Sequence, residues 1–220
     1  METKKTIIVS MVKLKSEKDR ILNHCFTKFL GEGFRKTSME VLAKELGISK
    51  KTLYKHFSSK EHLIDATLEV AFKTLKQNLN HIVVQNTNAV VKLRMIAEFI
   101  LSFAVRVNEK WLNDLRHHGN NRWKKVDENR RKLIEENFDK IIDQGKADGT
   151  IIDRPNLLIL QILISAIEGV INPSFLINNE ISLKQAGEFT FDILFSGILT
   201  KKGRKIYKQY KSGNQNEIKF

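Results

Sequence analysis

The chain has 220 residues, of which 41% are hydrophobic, so it can bury a substantial core in one or two domains. Its net charge is +13, and its first 60 residues hold 14 Lys and Arg against 6 Asp and Glu, which indicates a polyanionic partner. One cysteine, Cys25, excludes an internal disulfide, and no apolar run could span a bilayer or serve as a signal peptide. We therefore expect a cytoplasmic protein with no membrane partner.

The N-terminal part is predicted to contain a basic arm, residues 1–15, followed by a first helix from about Ser16 to Gly31. The arm is either a disordered terminus or a segment that lies along a groove. The apolar residues of the helix recur at the spacing of one buried face. These residues are Ile21, Leu22, Cys25, Phe26 and Phe29.

Residues 33–63 have the pattern of two short helices joined by a tight turn. Thr37 and Glu40 are spaced as a capping box that would begin the first of these helices. Gly47 would end it, because glycine adopts the left-handed conformation of a helix C-terminus without steric penalty.

The second short helix is predicted to run from Lys50 to about His56, with Ser49 as its N-cap. Leu53 and Phe57 would face the core, and the remaining side chains are rich in hydrogen-bond donors and lack carboxylates. A short helix, a glycine turn and such a second helix predict a helix-turn-helix whose second helix suits the major groove.

The segment from about Ser16 to Leu68 resembles the DNA-binding domain of the TetR family of transcriptional regulators. The match is dense and in register. The matching residues are Phe26, Gly33-Phe34, Thr37-Ser38, Leu42-Ala43, Gly47-Ile48-Ser49, Thr52-Leu53-Tyr54, His56-Phe57 and Ser59-Lys60-Glu61.

This resemblance implies which residues contact DNA. Thr37, Ser38, Tyr54 and Lys60 correspond to positions that contact the phosphate backbone, where helix N-termini and hydroxyl donors suit anions. Lysine can donate to guanine, so Lys50 and Lys51 indicate a G-containing half-site, unless they bind phosphate alone. The candidate DNA-binding residues are Thr37, Ser38, Ser49, Lys50, Lys51, Thr52, Tyr54, Lys55, His56 and Lys60.

The remainder of the chain is predicted to be helical throughout. A connecting helix begins at Ser59-Lys60-Glu61, and further helices are expected at about 89–107, around Trp111, at 122–144, at 157–171 and at 183–199. Gly119-Asn120-Asn121 and Pro173 are expected to interrupt them. The polar, basic tail from Lys201 onward is expected to be frayed.

The expected fold is therefore all-α, with a three-helix helix-turn-helix head joined by a connecting helix to a helical ligand-binding and dimerisation domain. The domain limits are 1–15 for the arm, 16–60 for the head, 61–200 for the second domain and 201–220 for the tail.

Two strongly apolar helices near the C-terminus predict a homodimer, because one subunit cannot easily cover both. In the TetR family the last two helices pair with the same helices of a second subunit, although a large monomeric core remains the alternative. The candidate interface residues are Leu160, Ile164, Ala166, Ile167, Phe191, Leu194, Phe195 and Ile198.

The resemblance also implies a small-molecule effector, and aromatic residues favour a hydrophobic or amphipathic one. The candidate pocket residues, each of which could instead be ordinary core, are Phe99, Phe103, Trp111, Leu115, His118, Trp123, Phe138 and Phe175.

No enzymatic motif, cofactor site or metal site is predicted. Asp114, His117 and His118 are potential metal ligands, but adjacent helical histidines point about 100° apart. Together with the resemblance, the sequence predicts a homodimeric repressor that binds a palindromic operator in double-stranded DNA and is released by its effector. The alternative is a DNA-binding regulator that is independent of an effector or controlled by a partner.

Overall fold

The computed structural model describes residues 16–104, 106–118 and 122–213, except for the side chains of residues 103, 116–118 and 210–213. The regular elements in these ranges are all helices, which confirms the predicted all-α class. In chain order they are α1 (Glu17–Glu32), α2 (Met39–Leu46), α3 (Lys50–His56), α4 (Lys60–Val83), α5 (Ala89–Ala104), α6 (Glu109–His118), α7 (Arg122–Ala147), α8 (Asn156–Val170), α9 (Pro173–Asn178), α10 (Leu183–Ile198) and α11 (Lys201–Gly213).

The described residues divide into two compact units. The first comprises residues 16–77 and 106–126, and the second comprises residues 78–104 and 127–213. Helices α4 and α7 each contribute residues to both units. This division by packing does not coincide with the functional limits expected at residues 60 and 200, which remain predictions.

Helix α1 contributes its inward-facing side chains to the core of the first unit. Ser16 caps this helix by accepting a hydrogen bond from the Asp19 backbone N–H at 3.1 Å. All five residues predicted to face inward are buried, including Cys25. Burial raises the pKa of the Cys25 thiol to about 12, so the side chain packs as a neutral, apolar group.

The start of α2 differs from the predicted capping box by one residue. Ser38, not Thr37, is the N-cap, and its hydroxyl accepts from the Val41 backbone N–H at 3.2 Å. Thr37 is buried, and its hydroxyl donates to the Gly33 carbonyl at 3.0 Å. The prediction placed the cap wrongly because two adjacent hydroxyl residues could each serve and only burial separates them. Gly47 ends α2 in the left-handed conformation, as predicted.

After α4, one helix boundary was predicted incorrectly and one short helix, α9, was not predicted. Helix α5 ends at Ala104 instead of continuing to 107. Pro173 does not simply end the preceding helix, since α8 already ends at Val170 and Pro173 is the first residue of α9. Asn172 caps α9, and proline suits a first helical position because its missing N–H has no partner there anyway.

The predicted frayed tail is wrong for residues 201–213, which form α11. This helix packs on α5, and Tyr207 is buried, with its hydroxyl donating to Asp192 Oδ1 at 2.6 Å. Burial raises the pKa of Tyr207 to about 12, which keeps the hydroxyl protonated as a donor. Gly203 lies against the Thr150 carbonyl so closely that a Cβ atom would overlap it. Residues 1–15 and 214–220, where the arm and the end of the tail were predicted, lie outside the described ranges.

None of the described helices is long and apolar enough to cross a membrane.

Candidate nucleic-acid interface

Helix α3 is held on one side by the core and presents its other side to solvent. Ser49 caps the helix, accepting from the Thr52 backbone N–H at 3.0 Å, and its hydroxyl also bonds the Thr52 hydroxyl at 2.8 Å. Leu53 and Phe57 are fully buried, as predicted. This anchoring fixes the direction in which the outer side chains of α3 project.

The outer side of α3 carries what we call the recognition surface: Lys50, Lys51, Tyr54 and Lys55. All four residues are exposed, and Tyr54 is 42% exposed despite its aromatic ring. In the part of the chain that the structure describes, no carboxylate pairs with Lys51 or Lys55. Such a surface can donate hydrogen bonds to phosphate oxygens or to base edges.

Lys50 differs from the other two lysines because it is paired. Its ammonium forms an ion pair with Glu40 of α2 and lies 5.9 Å from the centroid of the Tyr54 ring. The ion pair lowers the pKa of Glu40 to about 2 and raises that of Lys50. Both groups therefore remain charged throughout the physiological pH range.

The six candidate DNA-binding residues outside the recognition surface all have internal partners, and the hydroxyl of Thr52 is bonded to that of Ser49. Thr37 is buried and bonded to the Gly33 carbonyl, so the structure does not support it as a phosphate contact. Lys60 donates to the Arg35 carbonyl at 2.7 Å, and burial lowers its pKa. His56 lies 2.9 Å from Glu17 of α1. Ser38 and Ser49 are engaged as N-caps.

The loop that leads into α2 is clamped from both sides by side chains for which the sequence indicates other roles. The buried Asp114 of α6 accepts the Arg35 backbone N–H at 2.7 Å, while Lys60 binds the Arg35 carbonyl on the other side. Gly33 allows this approach, because it has a φ of +78° and a Cβ atom there would collide with the Asp114 carboxylate. Phe34 packs edge-on against Trp111 of α6, with ring centroids 5.5 Å apart.

Replacing Asp114 by alanine should test this clamp. The Arg35 N–H would lose its partner in a partly buried site, which costs about 1–3 kcal/mol of stability. We also expect weaker DNA binding, because the loop sets the start of α2. Thermal unfolding and a DNA titration measure the two effects. Unchanged values of both would show that the clamp has no role.

The eight candidate pocket residues do not fall in one unit. Trp111, Leu115, His118 and Trp123 belong to the first, whereas Phe99, Phe103, Phe138 and Phe175 belong to the second. Trp111, Leu115 and Phe138 are buried core residues, and Phe175 is 38% exposed. The side chains of Phe103 and His118 lie outside the described residues.

The candidate dimer residues are largely covered by their own chain. Leu160, Ile164, Ile167, Phe191, Phe195 and Ile198 are all buried, and Ala166 and Leu194 are partly so. Residues of this set that lie fully in the core cannot supply an exposed interface. Other large apolar residues of α8 and α10 are exposed, and we call them the α8–α10 apolar face. They are Leu157, Leu158, Ile162, Phe189 and Ile193, which are 52–80% exposed.

Asp114, considered above as a potential metal ligand, is engaged with the Arg35 backbone. The side chains of His117 and His118 are not among those described. Within the described ranges, no three His, Cys, Asp or Glu residues cluster in a way that could hold a metal ion.

These features define a helix-turn-helix protein, and its helix-turn-helix segment matches a known family of regulators. The family model of bacterial regulatory proteins of the tetR family matches residues 28–67. The uncharacterized HTH-type transcriptional regulator YvaF of Bacillus subtilis is 27% identical over 180 residues, which cover 81% of this chain and 94% of YvaF. IcaR of Staphylococcus aureus, a negative transcriptional regulator of the biofilm operon icaADBC, is 27% identical over 96 residues, 43% of this chain and 50% of IcaR.

Solved structures share the fold over most of the chain. A transcriptional regulator from Saccharomonospora viridis in complex with choline has a TM-score of 0.64 at 17% identity, covering 84% of this chain and 98% of that one. The family match over residues 28–67 and the YvaF relative together support a transcriptional regulator of the TetR family.

Proposed function

We propose that the protein is a homodimeric repressor that binds an inverted-repeat operator and is released by a small hydrophobic or amphipathic effector. The observation that carries this proposal is the recognition surface on α3, which presents three lysines and a tyrosine on a rigid, capped helix that contains no carboxylate. The IcaR relative, a negative regulator, supports the sign of regulation.

The recognition surface supports contact with both phosphates and bases. Lys51 and Lys55 have no carboxylate to neutralise them among the described residues, so both can form charge-assisted hydrogen bonds with DNA. Lys51 lies in the first turn of α3, the part of a recognition helix that reaches base edges. Tyr54 offers a phenolic donor for the backbone.

The α8–α10 apolar face supports a dimer. Helices α8 and α10 pack against each other, and both expose large apolar side chains, among them Leu157 and Ile193. Gly169, Ser196 and Gly197 are also exposed on these helices and would let a second pair of helices approach closely. A self-complementary apolar face that is buried across a two-fold axis is the commonest basis of oligomers. Two recognition helices would then meet major grooves roughly 34 Å apart.

The structural neighbour with bound choline shows that one protein of this fold holds a small molecule. In the present chain, α4 is a continuous helix with residues in both compact units. If α4 can take two positions that differ in DNA affinity, a ligand that binds more tightly to one of them shifts the protein toward it. The change in DNA affinity is limited by the ligand's difference in affinity for the two positions.

Replacing Lys51 by alanine should distinguish base reading from phosphate binding. We expect a loss of about 1–3 kcal/mol on the operator and a much smaller loss on random DNA, because a base contact is made only with the correct base. Lys140→Ala, which removes an exposed lysine of α7, is the matched control and should leave both affinities nearly unchanged. Equal losses on operator and random DNA would show that Lys51 binds phosphate alone.

The alternative, a regulator without an effector, is separated from this proposal by a ligand screen. A true effector must raise the melting temperature and release DNA together, because ligand and DNA affinities are linked. A compound that stabilises the protein but leaves the DNA affinity unchanged would be a ligand without a regulatory role.

A further inference from the structure

Glu40 is the one acidic residue of the first turn of α2, and it lies beside the recognition surface. Its carboxylate is bound by the Lys50 ammonium, and its own backbone N–H and the Ser38 hydroxyl also hold it. The Lys50 ammonium is close to the Tyr54 ring as well. The side chains of Glu40 and Lys50 are 58% and 53% exposed, so the pair lies at the surface.

This arrangement restricts the direction of Lys50. A free lysine is a flexible point charge that can follow any nearby phosphate. Lys50 is held between a carboxylate and an aromatic face, yet its ammonium has three donors and only one is needed for Glu40. The remaining donors can reach the O6 and N7 atoms of a guanine, as lysine does in the major groove.

A carboxylate at this position also has an electrostatic consequence. Glu40 adds negative charge next to the phosphates and therefore opposes binding to DNA in general. This repulsion is offset only where the DNA offers a hydrogen-bond donor to the Glu40 carboxylate. In the major groove that donor is the N4 amino group of cytosine. A G·C pair supplies an acceptor for Lys50 and a donor for Glu40.

We propose that Glu40 is a specificity-determining residue, which directs Lys50 to guanine, accepts from cytosine and disfavours sites that lack a G·C pair at this position. This inference rests on the proposed sequence-specific DNA binding. An exposed ion pair contributes little to folding, so replacing Glu40 should leave the protein folded and its DNA preference measurable.

The test compares wild-type protein with Glu40→Gln and Glu45→Gln. Glu45 is also on α2, and its removal changes the net charge equally, but its partners His24 and Lys28 are on α1. Each protein is used to select from a library of randomised duplexes, and the duplex selected by the wild type is then titrated beside a random one. A melting curve for each variant checks that it is folded.

For Glu40→Gln we expect loss of the G·C preference at one symmetric position in each half-site. The random duplex should bind more tightly, and the ratio of selected to random affinity should fall about tenfold. Glu45→Gln should keep the selected sequence and change both affinities by a similar factor. The conservative variant Glu40→Asp should retain part of the preference.

Two results would overturn the inference, and they are distinguishable. If the wild type and Glu40→Gln select the same sequence, Glu40 does not determine specificity, although the proposed function stands. If the wild type enriches no sequence at all, the proposed function fails and the inference fails with it.

Discussion

Replacing Ile193 by aspartate is expected to dissociate the dimer and to weaken operator binding by about a hundredfold or more. Ile193 is 72% exposed on α10, one turn from Phe189, which is 67% exposed. In the proposed dimer an aspartate here would bring a charge into an apolar interface, where it has no partner and loses its hydration. Operator affinity would fall because each head would then bind its half-site alone.

Sedimentation or light scattering measures the first effect, since the mass should fall from twice the 25.5 kDa of one chain to that value. Val84→Asp is the matched control, because Val84 is 77% exposed and apolar but lies outside α8 and α10. The control should remain dimeric. Dimers of unchanged stability for Ile193→Asp would exclude the α8–α10 apolar face as the interface.

Replacing Gly203 by alanine is expected to lower the free energy of unfolding by about 1–3 kcal/mol. The added methyl group would overlap the Thr150 carbonyl, which is backbone and cannot move aside like a flexible side chain. This carbonyl also accepts the Thr200 backbone N–H at 3.0 Å, so a shift of α11 would disturb that hydrogen bond and the burial of Tyr207.

Thermal or denaturant unfolding measures this loss. Gly31→Ala is the control, because a Cβ atom at Gly31 meets nothing within 4 Å and alanine favours a helix more than glycine does. The control should be neutral or slightly more stable. If Gly203→Ala were as stable as the wild type, α11 would not be packed as described.

The sequence predicts local structure correctly where a residue pattern is compatible with only one structure. The helix-turn-helix combines the hydroxyl cap Ser49, a left-handed glycine at Gly47 and two core positions, Leu53 and Phe57, and the structure has all of these features. Local spacing determines each of them.

The candidate dimer residues show a different limit. Helix α8 is apolar nearly all round, so its pattern predicts burial but cannot indicate which face meets the protein's own core. The sequence predicts Ile164 and Phe195 as interface residues, but both are buried within the chain, whereas Leu157 and Ile193 are exposed. Only the packing of α8 and α10 separates the two faces.

Two further features depend on contacts between distant parts of the chain. Asp114 and Arg35 are 79 residues apart, so no spacing rule could have joined them. Helix α11 has six Lys and Arg among 13 residues and was therefore expected to be frayed. Its stability depends on Gly203 and Tyr207, which lie four residues apart on one face and pack on the rest of the unit.

The most direct test of the central claim is selection of bound fragments from the source genome, followed by titration of the best fragment at two salt concentrations. A dimeric, sequence-specific regulator should enrich a shared inverted repeat and bind it far more tightly than random DNA at both concentrations. Affinity that falls steeply with salt and shows no preferred sequence would contradict the account, because it would indicate only electrostatic attraction between a basic protein and phosphates.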